Sequence, residues 1–250
     1  MLEFIILDQT PPKYIQDNMK IIRDSNLWKK YLDELCILRG KVYIEEGLYT
    51  NDILTSDGKF EEKWDHISIH AIALDNGKII GGIRVTLLSE NGLCYDGEVD
   101  YFLKKLNLKK HARTFNTMLN GLSNSGKKVV EISRLFVAEE YRRFRNPQSN
   151  VALGLFTLTY SYLSDHKVDA VFIIQGNKYK TSRIYEKIGF SCLEDIDGKK
   201  PLEPFFEFDD ICSLMYIYMD KSHISELFLK FVDEMKPIQL NTTIIGKKDS

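Results

Sequence analysis

The chain has 250 residues, of which 44% are hydrophobic and 28% are charged, and its formal net charge is −2. These values are typical of a soluble globular protein and exclude a global electrostatic field for nucleic acid or a membrane surface. The four cysteines lie far apart without a C-x-x-C pair. Neither a disulfide framework nor a metal site is therefore predicted, and the expected location is a reducing cytoplasm. No stretch reaches the roughly 20 apolar residues that a membrane-spanning helix needs.

The first third of the chain predicts a helix, a loop and a hairpin. Apolar residues recur at three- and four-residue spacing from Ile15 to Gly47, which indicates a helix that ends at the glycine. Residues 48–63 are polar and predict a long loop, either one that covers substrate or a plain surface loop. Two strands, Ile67–Leu74 and Lys78–Leu88, are joined by Asp75-Asn76-Gly77, which accepts the positive φ of a tight turn.

The remaining chain alternates strands and helices after an insertion. Residues 89–128 form the insertion, with a short helix predicted over Val99–Leu108 and a loop over Asn116–Lys127. The later elements are a strand from Val129, a helix from Val151 to His166, a strand Ala170–Gln175, a helix Lys178–Ile188, a strand from Phe190, a strand Cys212–Met219 and a helix Ile224–Met235 capped by Ser222. We expect one α/β domain over residues 1–240 and a disordered tail over 241–250.

The strand from Val129 contains three polar residues within an apolar run. Glu131, Ser133 and Arg134 interrupt a sequence that is otherwise typical of a buried central strand. A buried charge without a partner is costly, so Glu131 and Arg134 are expected to be paired or to line a cleft. The pattern alone leaves open a structural ion-pair network and a catalytic site.

A basic turn follows this strand. Arg142, Arg143 and Arg145 lead to the predicted start of a helix at Val151. Such a junction binds anions such as phosphate in α/β folds, because the helix dipole and free N–H groups add to the arginine charge.

Two motifs carry a resemblance to the GNAT acyltransferase superfamily. The ending S-R-I-Y-E-K-I-G-F at 182–190 resembles the helix that closes the acyl-donor cleft in this superfamily. The run E-I-S-R-L-F-V followed by Y-R-R, at 131–143, resembles acyl-homoserine lactone synthases and the related N-acyl amino acid synthases. Scattered upstream matches extend the resemblance to residues 36–195; they include Arg39, Tyr43, Glu45, Asp65, Ser68, His70, Gly81 and Arg84.

The resemblance implies a GNAT fold, a central mixed twisted sheet flanked by helices with an insertion between strands. It also implies transfer of an acyl chain from acyl carrier protein, or from acyl-coenzyme A, to the amine of an amino acid or similar small amine. No tightly bound cofactor is expected. The residues implied in donor binding are Leu135, Val137, Arg142, Arg143 and Arg145, and those implied in substrate binding are Arg39, Glu45, Asp65, His70, Arg84 and Arg134.

Two departures from the family pattern bear on the substrates. The basic turn, residues 142–154, has one glycine and so offers fewer free N–H groups to a diphosphate, which favours a carrier-protein donor over free coenzyme A. No tryptophan lies between Tyr43 and Glu62, although lactone synthases carry one, so N-acyl amino acid synthases match better. The alternatives are an autoinducer synthase of the lactone type, a short-chain acetyltransferase and a non-catalytic module that binds a carrier or another protein.

Amide formation from a thioester needs a base for the amine, a polarised carbonyl and an acid for the leaving thiolate. Strand alternation places Glu131 and Ser133 on one face, and we assign Glu131 as the base, with a salt bridge to Arg84 or Arg39 as the alternative. The backbone from Ser133 to Val137 would polarise the carbonyl. By resemblance Tyr185 is the acid, and a core aromatic residue is its alternative. His66 and His70 have no third ligand nearby, so a metal site is the weaker interpretation.

Overall fold

The structure, a computed structural model, describes residues 2–9, 20–105, 107–142, 150–176, 182–194, 197–198, 203–205, 210–239 and 242–247. The strands in these ranges are β1 (Leu2–Asp8), β2 (Lys20–Arg23), β3 (Ile69–Asp75), β4 (Lys78–Glu90), β5 (Leu93–Cys94), β6 (Val129–Val137), β7 (Ala170–Gly176), β8 (Ser191–Cys192), β9 (Glu203–Phe205), β10 (Asp210–Tyr218) and β11 (Thr243–Gly246). The helices are α1 (Ser25–Glu45), α2 (Glu98–Lys105), α3 (Lys109–Asn124), α4 (Val151–Asp165), α5 (Ser182–Ile188) and α6 (Glu226–Gln239). No helix within these ranges is long and apolar enough to cross a membrane.

The chain divides into two compact units, and each unit combines separate stretches of sequence. The first unit comprises residues 1–84, 134–162 and 231–250, and the second comprises 85–133 and 163–230. Strands β4 and β6 therefore contribute residues to both units. The expectation of one domain over residues 1–240 stays a prediction.

The first unit is built on a mixed sheet with the strand order β2-β11-β1-β3-β4-β6. Strand β1 runs parallel to β11 and antiparallel to β3, so that Leu7 lies opposite both Ile245 and His70. The turn between β3 and β4 is the predicted hairpin, because Asn76 and Gly77 both adopt positive φ, 49° and 78°. Helix α1 buries Trp28, Leu32, Leu35 and Tyr43 in the core that covers these strands.

Two sequence predictions for this unit are wrong. The long helix does not include Ile21 and Ile22, which lie in β2, because Asp24 ends the strand and caps α1 by accepting hydrogen bonds from the N–H groups of Asn26 and Leu27. The tail is not disordered over Thr243–Gly246, because this segment is a strand between β1 and β2. Gly47 does end α1, with a φ of 67°.

The second unit contains the start of β6, parallel to β7, and the order continues to β10 and β8. The loop predicted over Asn116–Lys127 is wrong, since α3 continues to Asn124. Its buried side chains, His111, Phe115, Leu119 and Ser123, recur every four residues and pack one stripe against the unit's core. The predicted cap of α6 is also shifted, because Ser225 rather than Ser222 accepts the hydrogen bond from the N–H of Phe228.

Candidate active site

A buried carboxylate, Asp65, is the centre of a charge cluster in the first unit. The guanidinium of Arg39 donates two hydrogen bonds to it, at 2.9 and 2.5 Å, and Arg84 donates a third at 3.0 Å. All three side chains are at most 1% exposed. The loop that precedes Asp65 adds the backbone N–H of Glu62 at 2.7 Å. Each oxygen of Asp65 thus accepts two N–H hydrogen bonds from the protein. These bonds replace the ones to water that a carboxylate loses on burial.

Glu62 extends the cluster towards solvent. Its carboxylate accepts 2.7 and 2.6 Å hydrogen bonds from Arg134, a bidentate pair, and a 2.9 Å bond from Arg84. The side chain of Glu62 is 16% exposed and that of Arg134 is 8% exposed, whereas the side chain of Asp65 has no contact with solvent. The hydroxyl of Tyr49 accepts a longer bond of 3.4 Å from Arg134. The cluster therefore has a closed base, Asp65, Arg39 and Arg84, and a partly open edge, Glu62 and Arg134.

Two aromatic rings, one from the polar loop over residues 48–63 and one from the residue directly after it, support the guanidinium groups. The ring of Phe60 lies 5.1 Å from the guanidinium carbon of Arg39 and 5.4 Å from that of Arg134. Trp64 lies 5.6 Å from that of Arg84. Such cation–π contacts restrict the arginines to one geometry without neutralising their charge. Through Phe60, the loop predicted over residues 48–63, as a cover for substrate or as a plain surface loop, forms one wall of the cluster.

The electrostatics of the cluster keep both carboxylates ionised. Burial alone would raise the pKa of Asp65, but the guanidinium of Arg39, its hydrogen bonds and the charge of Arg84 hold that pKa far below its ordinary value. Burial acts on Glu62 in the same sense, and Arg134 and Arg84 lower its pKa overall. Three guanidinium groups against two carboxylates leave one positive charge in excess.

His70 closes the base of the cluster as a neutral side chain. It is fully buried, and its Nε2 lies 2.9 Å from the backbone oxygen of Asp65. Burial first, and the charges of Arg39 and Arg84 next, lower the pKa of His70 to about 4 although Asp65 opposes the shift. Because a carbonyl only accepts, Nε2 carries the proton and Nδ1 is a buried acceptor without a hydrogen-bond partner.

We predict a pH-dependent stability from this histidine. Unfolded His70 binds a proton between its ordinary pKa and the folded value of about 4, and the folded protein does not. The free energy of unfolding should therefore fall as the pH drops from about 6.5 towards 4, by at most about 1.4 kcal/mol per pH unit from this one group. Below about pH 5 the two carboxylates, whose pKa values are lowered, add their own loss of stability as they are protonated.

Urea melts at several pH values measure this contribution. His70→Gln keeps a donor for the carbonyl of Asp65 but cannot titrate, so the slope between pH 6.5 and 5 should become flatter than in the parent. An unchanged slope would show that His70 does not cause it.

Glu131 lies in the second unit and caps a helix. Its two oxygens accept hydrogen bonds from the backbone N–H groups of Glu98 and Val99, at 2.8 and 2.9 Å, in the first turn of α2. A Cβ at Gly97 would approach Glu131 Oε2 to 2.7 Å, so glycine is needed where the chain passes this carboxylate. Arg39 and Arg84, the partners proposed for Glu131 from the sequence, bind Asp65 and Glu62 as described above. The assignment of Glu131 as base stays a prediction.

The strand that carries Glu131 is not regular. Arg134 adopts a φ of 55°, a left-handed conformation that is rare for a residue with a side chain inside a strand. The pairs of β6 with β7 run from Val129↔Ala170 to Ile132↔Ile173, on the amino-terminal side of this residue. The alternation of side chains between the two faces of β6 therefore stops at Arg134. The side chain of Arg134 binds Glu62, and its left-handed backbone is strained.

The other predicted catalytic and donor-binding residues occupy varied surroundings. Tyr185 on α5 is 8% exposed, and its ring meets Phe190 edge-on at 5.5 Å. Ser133 and Leu135 are partly exposed on β6, whereas Val137 is buried.

The basic turn is described only as far as Arg142. This side chain donates a 2.6 Å hydrogen bond to the carbonyl of Val137 and forms an ion pair with Glu46. Arg143 and Arg145 lie outside the described residues. Glu45, predicted to bind substrate, is at the exposed end of α1 beside Lys41, so the structure does not bring it to the cluster.

No group of three or more metal-binding side chains is assembled within the described part of the chain. His66 contacts Glu61 at the surface, while His70 faces the backbone of Asp65. The two histidines therefore have different partners and do not face a common site.

The fold is that of the GNAT acyltransferases, as predicted. Residues 38–151 match the family model described as "Acetyltransferase (GNAT) domain", and this confirms the resemblance to the superfamily. No curated protein sequence matches the chain.

Solved structures similar over nearly the whole chain include the two classes named from the sequence. The acyl-homoserine lactone synthase BjaI, solved with SAM and isopentyl-CoA and described as CoA-dependent, has a TM-score of 0.57 at 16% identity, over 93% of this chain and 94% of its own. FeeM, an N-acyl amino acid synthase from uncultured soil microbes, has a TM-score of 0.56 at 14% identity, over 92% and 97%. The lactone synthase LasI has a TM-score of 0.52 at 11% identity, over 89% and 91%. At these identities the likeness concerns the fold.

Proposed function

We propose that the protein transfers an acyl chain from a thioester donor to the amine of an amino acid or a similar small amine, and so forms an N-acyl amide. The observation that carries the proposal is the Glu62–Arg134 pair at the open edge of a buried charge cluster. The GNAT fold supports acyl transfer from a thioester, and the cluster supports a charged acceptor.

The open edge offers complementary groups to both ends of an amino acid. Glu62 can accept hydrogen bonds from the ammonium group, and Arg134 can donate to the carboxylate. The positive charge in excess favours an acceptor that brings an additional carboxylate. The closed base, Asp65 with Arg39 and Arg84, holds these two side chains in place.

The donor in this proposal is acyl carrier protein, with acyl-coenzyme A as the alternative. The glycine-poor turn that begins at Arg142 favours the phosphopantetheine of a carrier, and Arg142, Arg143 and Arg145 would hold its phosphate. BjaI is described as CoA-dependent, so acyl-coenzyme A is kept as the alternative donor. The reaction is expected in the cytoplasm, where both donors are made.

The chemistry requires one nucleophilic step. The neutral amine attacks the thioester carbon, a C–N bond forms, and the C–S bond breaks. In the proposal Glu131 receives the proton that the amine loses, directly or through water, and Tyr185 gives a proton to the leaving thiolate. The backbone from Ser133 to Val137, with Leu135 between them, polarises the thioester carbonyl.

Purified protein incubated with acyl carrier protein or coenzyme A thioesters and a panel of amino acids tests the function. Mass spectrometry should find an N-acyl amide, and lipid extracts of expressing cells should contain the same product. Release of an acyl lactone from S-adenosylmethionine would favour the autoinducer synthase instead. Absence of product with every donor and amine would favour a binding module.

Glu131→Gln separates the proposed base from the observed helix cap. Glutamine retains one acceptor for the N–H groups of Glu98 and Val99, so the loss of stability should be about 1–2 kcal/mol. Glutamine cannot accept a proton, however. If Glu131 is the base, kcat/KM should therefore fall roughly 10²- to 10⁴-fold, with loss of the acidic limb of the pH–rate profile. Glu140→Gln, at an exposed position, is the control for the chemical change. A fully active Glu131→Gln protein would leave the residue as a cap alone.

A further inference from the structure

The second unit contains a cavity of about 200 Å³ between the start of α2 and the later turns of α3. Its walls come from residues 88–120 alone, all of which belong to that unit. A cavity of about 150 Å³ accommodates a benzene ring in an engineered protein. The space here therefore suits a small organic molecule, about one ring with a short chain.

The floor of the cavity is apolar. Leu88, Phe115 and Leu119 line it, and all three side chains are buried. Phe115 and Leu119 lie four positions apart on α3, so they share one face of that helix. An occupant is stabilised here by removing apolar surface from water, which requires an apolar body of its own.

The rim of the cavity carries more negative than positive charge. Asp96, Asp100 and Lys104 are the charged side chains of its walls, whereas Lys105 and Lys109 do not line it. Lys104 forms an ion pair with Asp100, which leaves the carboxylate of Asp96 as the charge in excess. Such a rim repels carboxylates and phosphates and attracts a cation.

Two polar side chains of the walls are available to a ligand. Within the part of the chain that the structure describes, the side chains of Asp96 and Asn116 form no hydrogen bond and no ion pair. Asn116 is half-buried and directly follows Phe115, a residue of the floor. A carboxylate and a carboxamide oxygen both accept hydrogen bonds, and an ammonium group has three donors and no acceptor. The two groups therefore complement an ammonium ion.

We propose that this cavity binds a small organic ammonium ion, a protonated primary amine with an aromatic or short aliphatic body. The body would cover Leu88, Phe115 and Leu119, and the ammonium group would donate to Asp96 and Asn116. An amino acid fits less well, because its own carboxylate would meet the negative rim. The proposal concerns binding and does not depend on acyl transfer.

Gly97 connects the cavity to Glu131. It lines the cavity, and a Cβ on it would approach Glu131 Oε2 to 2.7 Å. The next two residues, Glu98 and Val99, are those whose backbone N–H groups donate to Glu131. An occupant would therefore contact the turn that Glu131 caps, and its binding should be detectable at the amides of this turn.

The test is a titration of the full chain with phenethylamine, followed by two-dimensional amide NMR spectra at pH 7. The amine is protonated there, as a lysine side chain is. A ligand of this size should bind with a Kd of about 1 mM and shift the backbone amides of Gly97 and Glu98 and the side-chain amide of Asn116. Phenethyl alcohol and phenylacetate keep the ring and replace the ammonium with a neutral and a negative group. Both should bind more weakly, by about fivefold or more.

Two variants assign the binding to the cavity. Asp96→Lys replaces an attraction by a repulsion and should weaken the Kd by about tenfold. Asn116→Ala removes the second acceptor and should weaken it by about threefold, and alanine favours the helix, so this variant should fold. Asp57→Lys makes the same change of charge as Asp96→Lys at an exposed position of the first unit and should leave the Kd unchanged.

Selective loss of binding in Asp96→Lys and Asn116→Ala, with binding intact in Asp57→Lys, would support the site. Equal binding of phenylacetate, or an unchanged Kd in Asp96→Lys, would overturn it. So would the absence of shifts at amine concentrations far above the expected Kd. Shifts confined to residues around Glu62 and Arg134 would assign the amine to the charge cluster instead and would also overturn the cavity site.

Discussion

Tyr185→Phe is expected to reduce kcat roughly 10²- to 10⁴-fold, the usual contribution of a positioned acid. The hydroxyl is the only atom removed, and the ring keeps its edge-on contact with Phe190 at 5.5 Å. The proton that the thiolate needs would then have to come from water. Single-turnover rates with a saturating thioester and amine measure the chemical step directly.

The control for this variant is Tyr162→Phe. Tyr162 is also a buried tyrosine, and its hydroxyl donates to Asp8. Removing that hydroxyl takes one hydrogen bond away from a buried carboxylate, so this variant should lose about 1–3 kcal/mol of stability with little change in kcat. If Tyr185→Phe behaves like Tyr162→Phe, then Tyr185 is a core residue and the acid lies elsewhere.

The elements predicted correctly from the sequence are those that depend on residues close together in the chain. The hairpin at Asn76-Gly77 and the strand β6 follow from turn chemistry and from β-branched density. Helix α3 was missed because its Asn and Gly residues, which include the exposed Asn120, Gly121 and Asn124, resemble a loop. The stripe through Phe115 and Leu119 is its one helical signal.

Long-range pairing could not be predicted. Strand β11 comes after the last helix and reaches both β1 and β2, two segments from the start of the chain. Nothing within the sequence of residues 243–246 specifies those partners, since tertiary context decides whether so short a segment is ordered. The same limit applies to β2, whose isoleucines also fit a helical pattern.

The charge cluster contains residues that the sequence analysis singled out, but their pairing was not predicted. Arg39, Asp65, Arg84 and Arg134 were expected to bind substrate, and the structure brings all four into one cluster. Glu62 was not assigned, although it links Arg84 to Arg134. The left-handed backbone at Arg134 explains part of this failure, because strand alternation does not predict where a side chain points once its residue leaves the extended conformation.

Asp65→Asn is expected to have the largest effect on stability. The substitution keeps the shape of the side chain but removes the charge that compensates Arg39 and Arg84, both fully buried. Breaking a buried ion pair by removing one partner costs about 3–5 kcal/mol. For a chain of this size, this corresponds to a fall in Tm of roughly 6–20 °C. Differential scanning calorimetry at pH 7 measures it.

The acid dependence identifies the cause of that loss. The pKa of Asp65 is lowered in the folded state, so its contribution is complete above its ordinary pKa and disappears as the pH falls. Parent and Asp65→Asn should therefore differ most near pH 7 and converge in acid. Asp57→Asn, which removes an exposed partner of Lys59, should change stability far less than Asp65→Asn does at either pH, because water screens an exposed ion pair. A gap between parent and Asp65→Asn that stays constant down to pH 3 would mean that the lost hydrogen bonds matter and the buried charge does not.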